Sequence, residues 1–198
     1  TALFAEQGRA TDSQVEFVRS GINTEPGTYG INVTQAATQG RLVAGSALAD
    51  GITIDGTNDE LTLRVDGETS VSLTLTQQTY ASAQDLVNEI QSQLDSSNAL
   101  NAAGSSVLVG LDGSGNLSFS SAKYGSESAV SLTSSESAIT FGLDTATATA
   151  GLDIAGTIGG RTAEGDGQVL FLGNGNGGAS GLQVRVLGDQ IGSRGSIT

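Results

Sequence analysis

The stretch LTLRVDGETSVSLTLTQQTYASAQDLVNEIQSQLD, residues 61–95, decides the fold class of this chain. Apolar and polar residues alternate in 61–66 and again in 69–76, which is the period of a half-buried β-strand. Asp66 and Gly67 stand between the two runs, and an Asp-Gly pair is typical of the type I′ turn of a hairpin. The sequence therefore predicts an antiparallel β-hairpin here.

The same stretch continues into one amphipathic helix, which is predicted over residues 82–95. Ser82 is the expected N-cap, and Asp85 completes a pattern like a capping box. Asp85 also lies near the positive end of the helix dipole. The run DSSN at 95–98 is expected to end the helix. An apolar stripe at helical spacing should cover a sheet, and it consists of Ala83, Leu86, Val87, Ile90 and Leu94.

Alternating runs elsewhere predict further strands. Residues 12–20 and 28–36 are expected to pair as a hairpin, because Pro26 and Gly27 between them favour a turn. The remaining predicted strands cover residues 106–111, 117–120, 129–133, 152–158, 168–172 and 182–187.

Two stretches of small residues are expected to be connections. Residues 35–51 (QAATQGRLVAGSALADG) are interpreted as a crossing between two domains. Residues 134–150 are rich in Ser, Thr and Ala and are interpreted as a linker or loose loop, with an apolar island of Ile139, Phe141 and Leu143 inside it. The pattern as a whole predicts a mainly β, α+β fold with two small antiparallel domains and one main helix.

Composition excludes several classes of function. Among 198 residues there are 29 glycines and only 4% aromatics, which suits small β-domains with many turns. Cys and His are both absent, so a disulfide, a Ser-His-Asp triad, a cysteine nucleophile or an ordinary zinc site cannot form. The net charge of −13 argues against nucleic acid and anionic membrane as partners, since both reward a basic face.

Targeting features are also missing from the printed sequence. No apolar run approaches the ~20 residues of a membrane span. There is no signal peptide, and the chain begins at Thr1 without any Met, so we expect a fragment of a longer protein.

A glycine-rich run matches a nucleotide-binding pattern only in its letters. Residues 173–178 (GNGNGG) fit G-x-G-x-x-G through Gly173, Gly175 and Gly178, and a predicted strand precedes them. A second strand follows where a helix is required, so no helix N-terminus is available to hold a pyrophosphate. The run predicts a hairpin loop.

Asp112, Ser114 and Asn116 imitate the opening of a calcium-binding loop. Leu117 stands at the sixth position, where Gly is required, and Lys123 stands at the twelfth, where a bidentate Glu is required. The pattern therefore predicts a turn between two strands.

Carboxylate pairs can hydrolyse glycosides when a cleft holds them at a set separation. Acidic loops are generally solvated surface, and the chain has no Trp to serve as a sugar platform. We therefore expect no catalytic, cofactor-binding or metal-binding residue. The acidic residues considered for such a role are Asp50, Asp55, Asp59, Glu60, Glu164 and Asp166.

Three stretches, taken in order, resemble the family of bacterial flagellar filament-capping proteins (hook-associated protein 2, FliD). Residues 26–46 (PGTYGINVTQAATQGRLVAGS) are similar to the strand that opens the family's outer region. Residues 82–132 resemble the flagellar hook IN motif, although Leu94-Asp95 stands where Ile-Asn is expected. Residues 151–198 are similar to the family's return segment, so the resemblance covers most of the chain.

This resemblance implies a nested domain organisation. Residues 1–47 and 150–198 would form one discontinuous β-rich domain, and residues 48–149 would form an inserted β-rich domain with the helix. The family's long coiled-coil termini have no heptad counterpart here, so the chain is interpreted as the outer part alone.

The resemblance also implies a structural protein and not an enzyme. The family's cap is a ring of identical subunits at the tip of the growing flagellum, outside the cell, where it assists flagellin assembly. The implied partners are further copies of the chain, flagellin and hook-associated proteins, with a host surface as a candidate in adhesion. Two alternatives stay open: the outer domain of a flagellin or another hook-associated protein, and a secreted adhesin or carbohydrate-binding module.

Overall fold

A computed structural model describes residues 8–136 and 138–198 of the chain. Its strands pair antiparallel and it has one main helix, so the predicted fold class is confirmed. In chain order the elements are β1 (Val15–Arg19), β2 (Tyr29–Gln35), β3 (Arg41–Ala47), β4 (Ile52–Thr53), β5 (Glu60–Val65), β6 (Thr69–Thr74), β7 (Thr79–Tyr80), α1 (Ala83–Asp95), α2 (Asn98–Ala103), β8 (Val107–Leu111), β9 (Asn116–Ser121), β10 (Val130–Ser135), β11 (Thr147–Thr149), β12 (Ala155–Ile158), β13 (Arg161–Asp166), β14 (Val169–Phe171), β15 (Gln183–Val186) and β16 (Gly192–Ile197).

Contacts divide the chain into two compact units. Unit 1 contains the described residues up to Thr38 together with Leu152–Thr198, and unit 2 contains Gln39–Gly151. Each unit has a separate cluster of buried apolar side chains. The chain therefore leaves unit 1, builds unit 2 and returns to unit 1.

Unit 1 is one seven-stranded sheet that curls almost into a barrel. Its strand order is β1-β15-β14-β13-β12-β2-β16. The segment before β1 runs along β16, because Ala10 forms a bridge with Ile197, and so links the two outer strands. The buried core consists of Val15, Ile31, Val33, Ala37, Ile154, Ile158, Ala163, Leu170, Leu172, Ala179, Leu182, Val184, Val186 and Ile197.

The predicted hairpin between residues 12–20 and 28–36 is wrong in its pairing. β1 pairs with β15, whereas β2 lies between β12 and β16. The connection between β1 and β2 is a wide loop and not a tight turn, and Thr24 Oγ1 anchors it by donating to the Ser180 carbonyl at 2.6 Å. Alternation indicates which face of a strand is buried, but the partner strand is set by contacts distant in the chain.

Unit 2 contains two larger sheets, β10-β5-β6 and β11-β3-β9-β8, and the short pair β4-β7. The predicted hairpin over 61–76 is confirmed, since β5 pairs with β6 from Glu60 opposite Thr74 to Val65 opposite Thr69. The buried core consists of Leu42, Ala44, Leu48, Ile54, Leu61, Leu63, Val65, Val71, Leu73, Leu75, Tyr80, Ala83, Leu86, Val87, Ile90, Leu94, Leu100, Val107, Val109, Leu117, Phe119, Val130, Phe141 and Leu143.

The predicted helix is confirmed together with its cap. Ser82 Oγ accepts the Asp85 N–H at 3.2 Å, and the Asp85 carboxylate accepts the Ser82 N–H at 3.1 Å. Every residue of the predicted apolar stripe is buried. α1 ends at Asp95 as expected, but a second short helix follows that the sequence did not predict, capped by Ser97 and ended by Gly104 at φ 62°.

Residues 35–51, which were expected to cross between domains, contain β3. This inner strand pairs with both β9 and β11, so residues 39–47 lie with unit 2 and not with the terminal segments. Small residues are needed here because a neighbouring segment packs closely: a Cβ on Gly45 would collide with the Thr145 side chain. The stretch does pass from unit 1 to unit 2, between Thr38 and Gln39, but its small residues after that point reflect close packing in unit 2.

Residues 134–150, interpreted as a linker or loose loop, form a connection between β10 and β11 that is more structured than expected. They contain the end of β10, a 3₁₀ turn over Leu143–Thr145, and β11, which pairs with β3. Phe141 and Leu143 are 1% and 3% exposed and belong to the core of unit 2. Ile139, the third residue of the apolar island, is 81% exposed. No helix in the described part of the chain has the length and apolar character that crossing a membrane requires.

Candidate functional site

Three of the acidic residues considered for catalysis make local structural hydrogen bonds. Asp50 accepts the first backbone N–H of α1, from Ala83, at 2.8 Å. Asp59 accepts a 2.8 Å hydrogen bond from the Gln77 side chain. The side-chain and backbone hydrogen bonds from Thr57 lower the pKa of Asp55. The remaining members lie in β5 and β13, and they are Glu60, Glu164 and Asp166.

No group of three or more His, Cys, Asp or Glu is placed to hold a metal ion within residues 8–136 and 138–198. The loop at residues 112–116, which imitates the opening of a calcium site, is shaped by hydrogen bonds to Asp112. Asp112 Oδ1 accepts the backbone N–H groups of Ser114 and Asn116 at 2.8 and 2.9 Å. These bonds, that from Asn116 first, lower the pKa of Asp112. They define the turn between β8 and β9, and the lack of a calcium site stays a prediction.

The glycine-rich run forms the loop between β14 and β15. A single 3₁₀ turn over Gly177–Ala179 lies within it, and β15 follows. The expected hairpin loop is confirmed. A turn of three residues supplies no helix N-terminus for a phosphate.

A buried carboxylate that sequence reasoning treated only as a turn residue organises one end of unit 2. The Asp66 side chain is 3% exposed. It accepts hydrogen bonds from Ser121 Oγ at 2.7 Å, from Ser105 Oγ at 3.1 Å and from the Ala129 N–H at 3.2 Å. Lys123 Nζ lies 3.8 Å from Asp66 Oδ2. Asp66 therefore ties the β5–β6 hairpin to segments beside β8, β9 and β10.

The backbone of Asp66 is as distinctive as its side chain. Its φ of 51° makes it the one non-glycine residue with positive φ in the described chain. Asp tolerates this left-handed region better than most residues, at a modest energetic cost. The weak sequence signal was the Asp-Gly pair, which predicted the positive φ but not the burial.

The Asp66 network borders a groove of about 580 Å³. Its rim carries Glu68, Glu127 and Lys123, the chain's single lysine. A ligand pocket is usually apolar with few polar groups, whereas this groove is lined mainly by polar and charged residues. Its carboxylate accepts hydrogen bonds from three protein donors, so the network acts as a structural tie.

Unit 1 has a smaller groove of about 120 Å³ beside Phe17, Pro26 and Tyr29. Ligand sites usually measure about 300–1,000 Å³, so the volume of this groove lies below the usual range. The Tyr29 hydroxyl donates to the Glu25 carbonyl at 2.8 Å.

Arg194 fastens the beginning of the described chain to its last strand. The side chain is 2% exposed and donates to Asp12 Oδ2 and Gln14 Oε1, each at 2.8 Å, and to the Gln190 carbonyl at 3.2 Å. The hydrogen bond from Arg194 holds the pKa of Asp12 below its ordinary value. We call this contact the Arg194 latch.

The latch brings two distant parts of the sequence side by side. The Arg9 N–H donates to the Thr198 carbonyl at 2.9 Å, and the Thr198 N–H donates to the Arg9 carbonyl at 3.1 Å. A second such pair stands at the division between units, where the Thr38 N–H donates to the Leu152 carbonyl at 2.9 Å. In each pair, two segments that are far apart in the sequence lie side by side.

Ser128 secures the segments that enter and leave unit 2. Its side chain is fully buried, its Oγ accepts the Gly40 N–H at 2.8 Å, and its carbonyl accepts the Gly151 N–H at 2.8 Å. Gly40 is required at this position, since a Cβ would collide with the Ser128 backbone. We call this contact the Ser128 clasp.

Comparison with solved structures identifies proteins with the same fold. The D1–D2–D3 domains of the flagellar cap protein FliD from Escherichia coli align with a TM-score of 0.58 and 16% identity, over 97% of this chain and 58% of that one. The D2–D3 domains from the same organism align with a TM-score of 0.56 and 14% identity, over 97% of both chains. FliD from Bdellovibrio bacteriovorus aligns with a TM-score of 0.51 and 14% identity, over 91% of this chain and 98% of that one.

These alignments confirm, for the fold, the resemblance to outer domains of the flagellar cap. No protein-family model matches the sequence. No curated protein matches it significantly. At such low identity the solved structures show a shared fold, and the chain spans just over half of the E. coli D1–D2–D3 structure.

Proposed function

We propose that this chain forms the outer domains of a flagellar filament cap and acts as a structural protein without enzyme activity. The observation that carries the proposal is the match to the E. coli D2–D3 structure over 97% of both chains. The proposed location is the filament tip outside the cell, and the proposed partners are further copies of the chain, flagellin and hook-associated proteins.

The paired chain segments support a place within a longer polypeptide. Arg9 and Thr198 are hydrogen-bonded to each other, so flanking segments would begin and end at neighbouring points of unit 1. A domain inserted into a larger protein has this geometry. The nested units are likewise proposed to be two domains, the second inserted in the first.

A mechanism of steric enclosure requires no catalytic group. The carboxylate of Asp66, whose side chain is 3% exposed, is already hydrogen-bonded to protein donors. Assistance to flagellin assembly would then come from shape and subunit rearrangement, with no covalent step.

Charge limits the adhesion that such outer domains could support. Residues 39–151 contain 13 acidic and three basic residues, which gives unit 2 a net charge of −10 out of the chain's −13. A strongly anionic surface repels an anionic polysaccharide or membrane. Any adhesive contact made by unit 2 therefore calls for a neutral or basic partner.

Immunogold electron microscopy of the source bacterium distinguishes a filament cap from a flagellin-like protein and from an adhesin. Antibody raised against this chain should label filament tips. Labelling along whole filaments would indicate a flagellin-like protein, and labelling of the cell body would indicate an adhesin; either result overturns the proposal. Deleting the gene should abolish filaments and release flagellin into the medium.

A matched variant tests the non-enzymatic part of the proposal. Replacing both Glu68 and Glu127 by Gln removes the free carboxylates from the larger groove without touching Asp66. In the strain that lacks the gene, a gene encoding the double variant should restore filaments to the same extent as the unaltered gene. Loss of filaments with a folded protein would indicate that the groove has a chemical role.

A further inference from the structure

Helix α1 lies beside the outer strands of both larger sheets of unit 2. β8 is the last strand of the sheet β11-β3-β9-β8, and β6 is the last strand of the sheet β10-β5-β6. An outer strand exposes backbone N–H and C=O groups on one side, and these can pair with a strand of another chain. The polar side chains of α1 reach these groups on both strands.

Gln91 satisfies the open side of β8. Its Nε2 donates to the Val107 carbonyl at 3.1 Å, and its Oε1 accepts the Val109 N–H at 2.9 Å. Asp95, one turn later, accepts a second hydrogen bond from Nε2 at 2.7 Å and fixes the orientation of the amide. A primary amide carries a donor and an acceptor side by side, as a peptide group does. Gln91 thus stands where a neighbouring strand would bond.

Glu89 and Gln93 make similar contacts at the end of β6. Gln93 Nε2 donates to the Thr74 carbonyl at 2.8 Å, and Glu89 Oε1 accepts the Thr76 N–H at 3.2 Å. The two side chains are joined by a 2.7 Å hydrogen bond from Gln93 Nε2 to Glu89 Oε1. At β8, α1 binds the C=O of one residue and the N–H of the residue two positions later. At β6 the same spacing recurs, but only the C=O belongs to the strand, because Thr76 lies two residues past its end.

We infer that the side chains of α1 take the place of a neighbouring strand along part of β8, and that Gln91 keeps β8 from pairing with a second copy of this chain. β8 needs this protection more than β6. Its sequence, VLVGL, has no charged residue, and Leu108 is 69% exposed. Apolar outer strands without charge or proline are the usual sites of unwanted strand pairing.

This device goes beyond the proposed function and does not depend on it. It does suit any protein displayed in many close copies, because high local concentration favours strand pairing between neighbours. The core stripe of α1 holds the helix in place, and Gln91 is outside that stripe. The edge protection and the packing of the helix can therefore be separated by mutation.

Gln91→Ala tests the inference, with Gln84→Ala as the matched control. Gln84 is also on α1 and bonds to a residue one turn later, Asn88, at 3.0 Å. Both changes replace the same type of side chain on α1 by alanine, the best helix former. In Gln91→Ala, the Val109 amide should exchange with solvent at least about tenfold faster, while Gln84→Ala leaves it unchanged.

Self-association supplies the second readout. Sedimentation velocity should show Gln91→Ala forming dimers and larger species as concentration rises. Gln84→Ala should sediment like the parent chain at every concentration. Adding Leu108→Lys to Gln91→Ala should restore the parent behaviour, because a lysine on an outer strand opposes pairing. Unchanged Val109 exchange, or a Gln91→Ala chain that sediments like the parent at every concentration, overturns the inference.

Discussion

Replacing Asp66 with Gly should destabilise unit 2 by about 3 kcal/mol, because buried hydrogen-bond donors then lose their acceptor. Ser121 is fully buried and Ser105 is 8% exposed, and both donate to the Asp66 carboxylate. A buried donor left without a partner costs about 1–3 kcal/mol, and the Ala129 N–H adds to the two hydroxyls. Glycine accepts the φ of 51° without strain, so this variant isolates the side chain.

Three further variants separate the contributions of the backbone conformation, the acceptor oxygens and Lys123 to this stabilisation. Asp66→Ala should cost about 1 kcal/mol more than Asp66→Gly, since alanine is strained at positive φ. Asp66→Asn keeps one acceptor oxygen and tolerates the backbone, so it should lose about 1–2 kcal/mol. Lys123→Met should cost under about 1 kcal/mol, because the lysine is half-exposed and 3.8 Å from the carboxylate.

Differential scanning calorimetry of the whole chain is the appropriate assay, because two units need not melt in one transition. For a unit of this size, 1 kcal/mol corresponds to about 4 °C in Tm, so Asp66→Gly should lower the transition of unit 2 by roughly 12 °C. The transition of unit 1 should stay in place. A shift below about 2 °C for Asp66→Gly would show that the network contributes little and would refute the reasoning.

Four further predictions follow from other contacts. Replacing residues 39–151 by a short linker should leave a folded unit 1 by circular dichroism, and an unfolded remnant would contradict the proposed nesting of domains. Arg194→Met should lower the Tm of unit 1 much more than Arg185→Met, because the Arg185–Glu16 pair is about half exposed; equal shifts would show that the Arg194 latch is unimportant. Calorimetric titration with calcium should give no saturable heat, whereas heat abolished by Asp112→Ala would reveal a real site. Stability should be constant between about pH 5.5 and 8, since the chain has no histidine, and should fall below about pH 4. The carboxyls with lowered pKa include Asp12, Asp55, Glu89 and Asp112.

The sign of the pH effect follows from these carboxyls. Burial raises the pKa of Glu89, but hydrogen bonds from Gln93 and Thr76 outweigh burial and leave it lowered. A lowered pKa in the folded state means that the unfolded chain binds protons first as the pH falls. The stabilisation is therefore present above the unfolded values near pH 4 and is lost as pH falls through the folded ones. A chain that gains stability below about pH 4 would contradict this.

Some elements of the fold can be predicted from patterns that involve only a few neighbouring residues. The Ser82 cap, the stripe of α1 and the Asp66-Gly67 pair each act within one or two turns of chain, and the structure has all three. The same locality explains the errors. β1 pairs with β15, from the far end of the sequence, and nothing in residues 12–36 specifies that partner.

Burial of small or isolated residues was harder to predict than the elements themselves. Phe141 and Leu143 stand in a Ser- and Thr-rich run, and they are buried because their segment packs against β3 at Gly45. Asp66 is buried because donors from three other segments converge on it. Such convergence depends on tertiary structure and leaves no period in the sequence.

The paired ends of unit 1 have a mechanical consequence. Arg9 and Thr198 are hydrogen-bonded neighbours, held close by the Arg194 latch. If the chain continues from both points into an anchored base, drag on the unit pulls on two parallel tethers at one place. The load then passes along the flanking segments, and little of it stretches the sheet between its first and last strands. A fold attached in this way can bear fluid forces that would unravel the same fold if it were pulled from opposite ends.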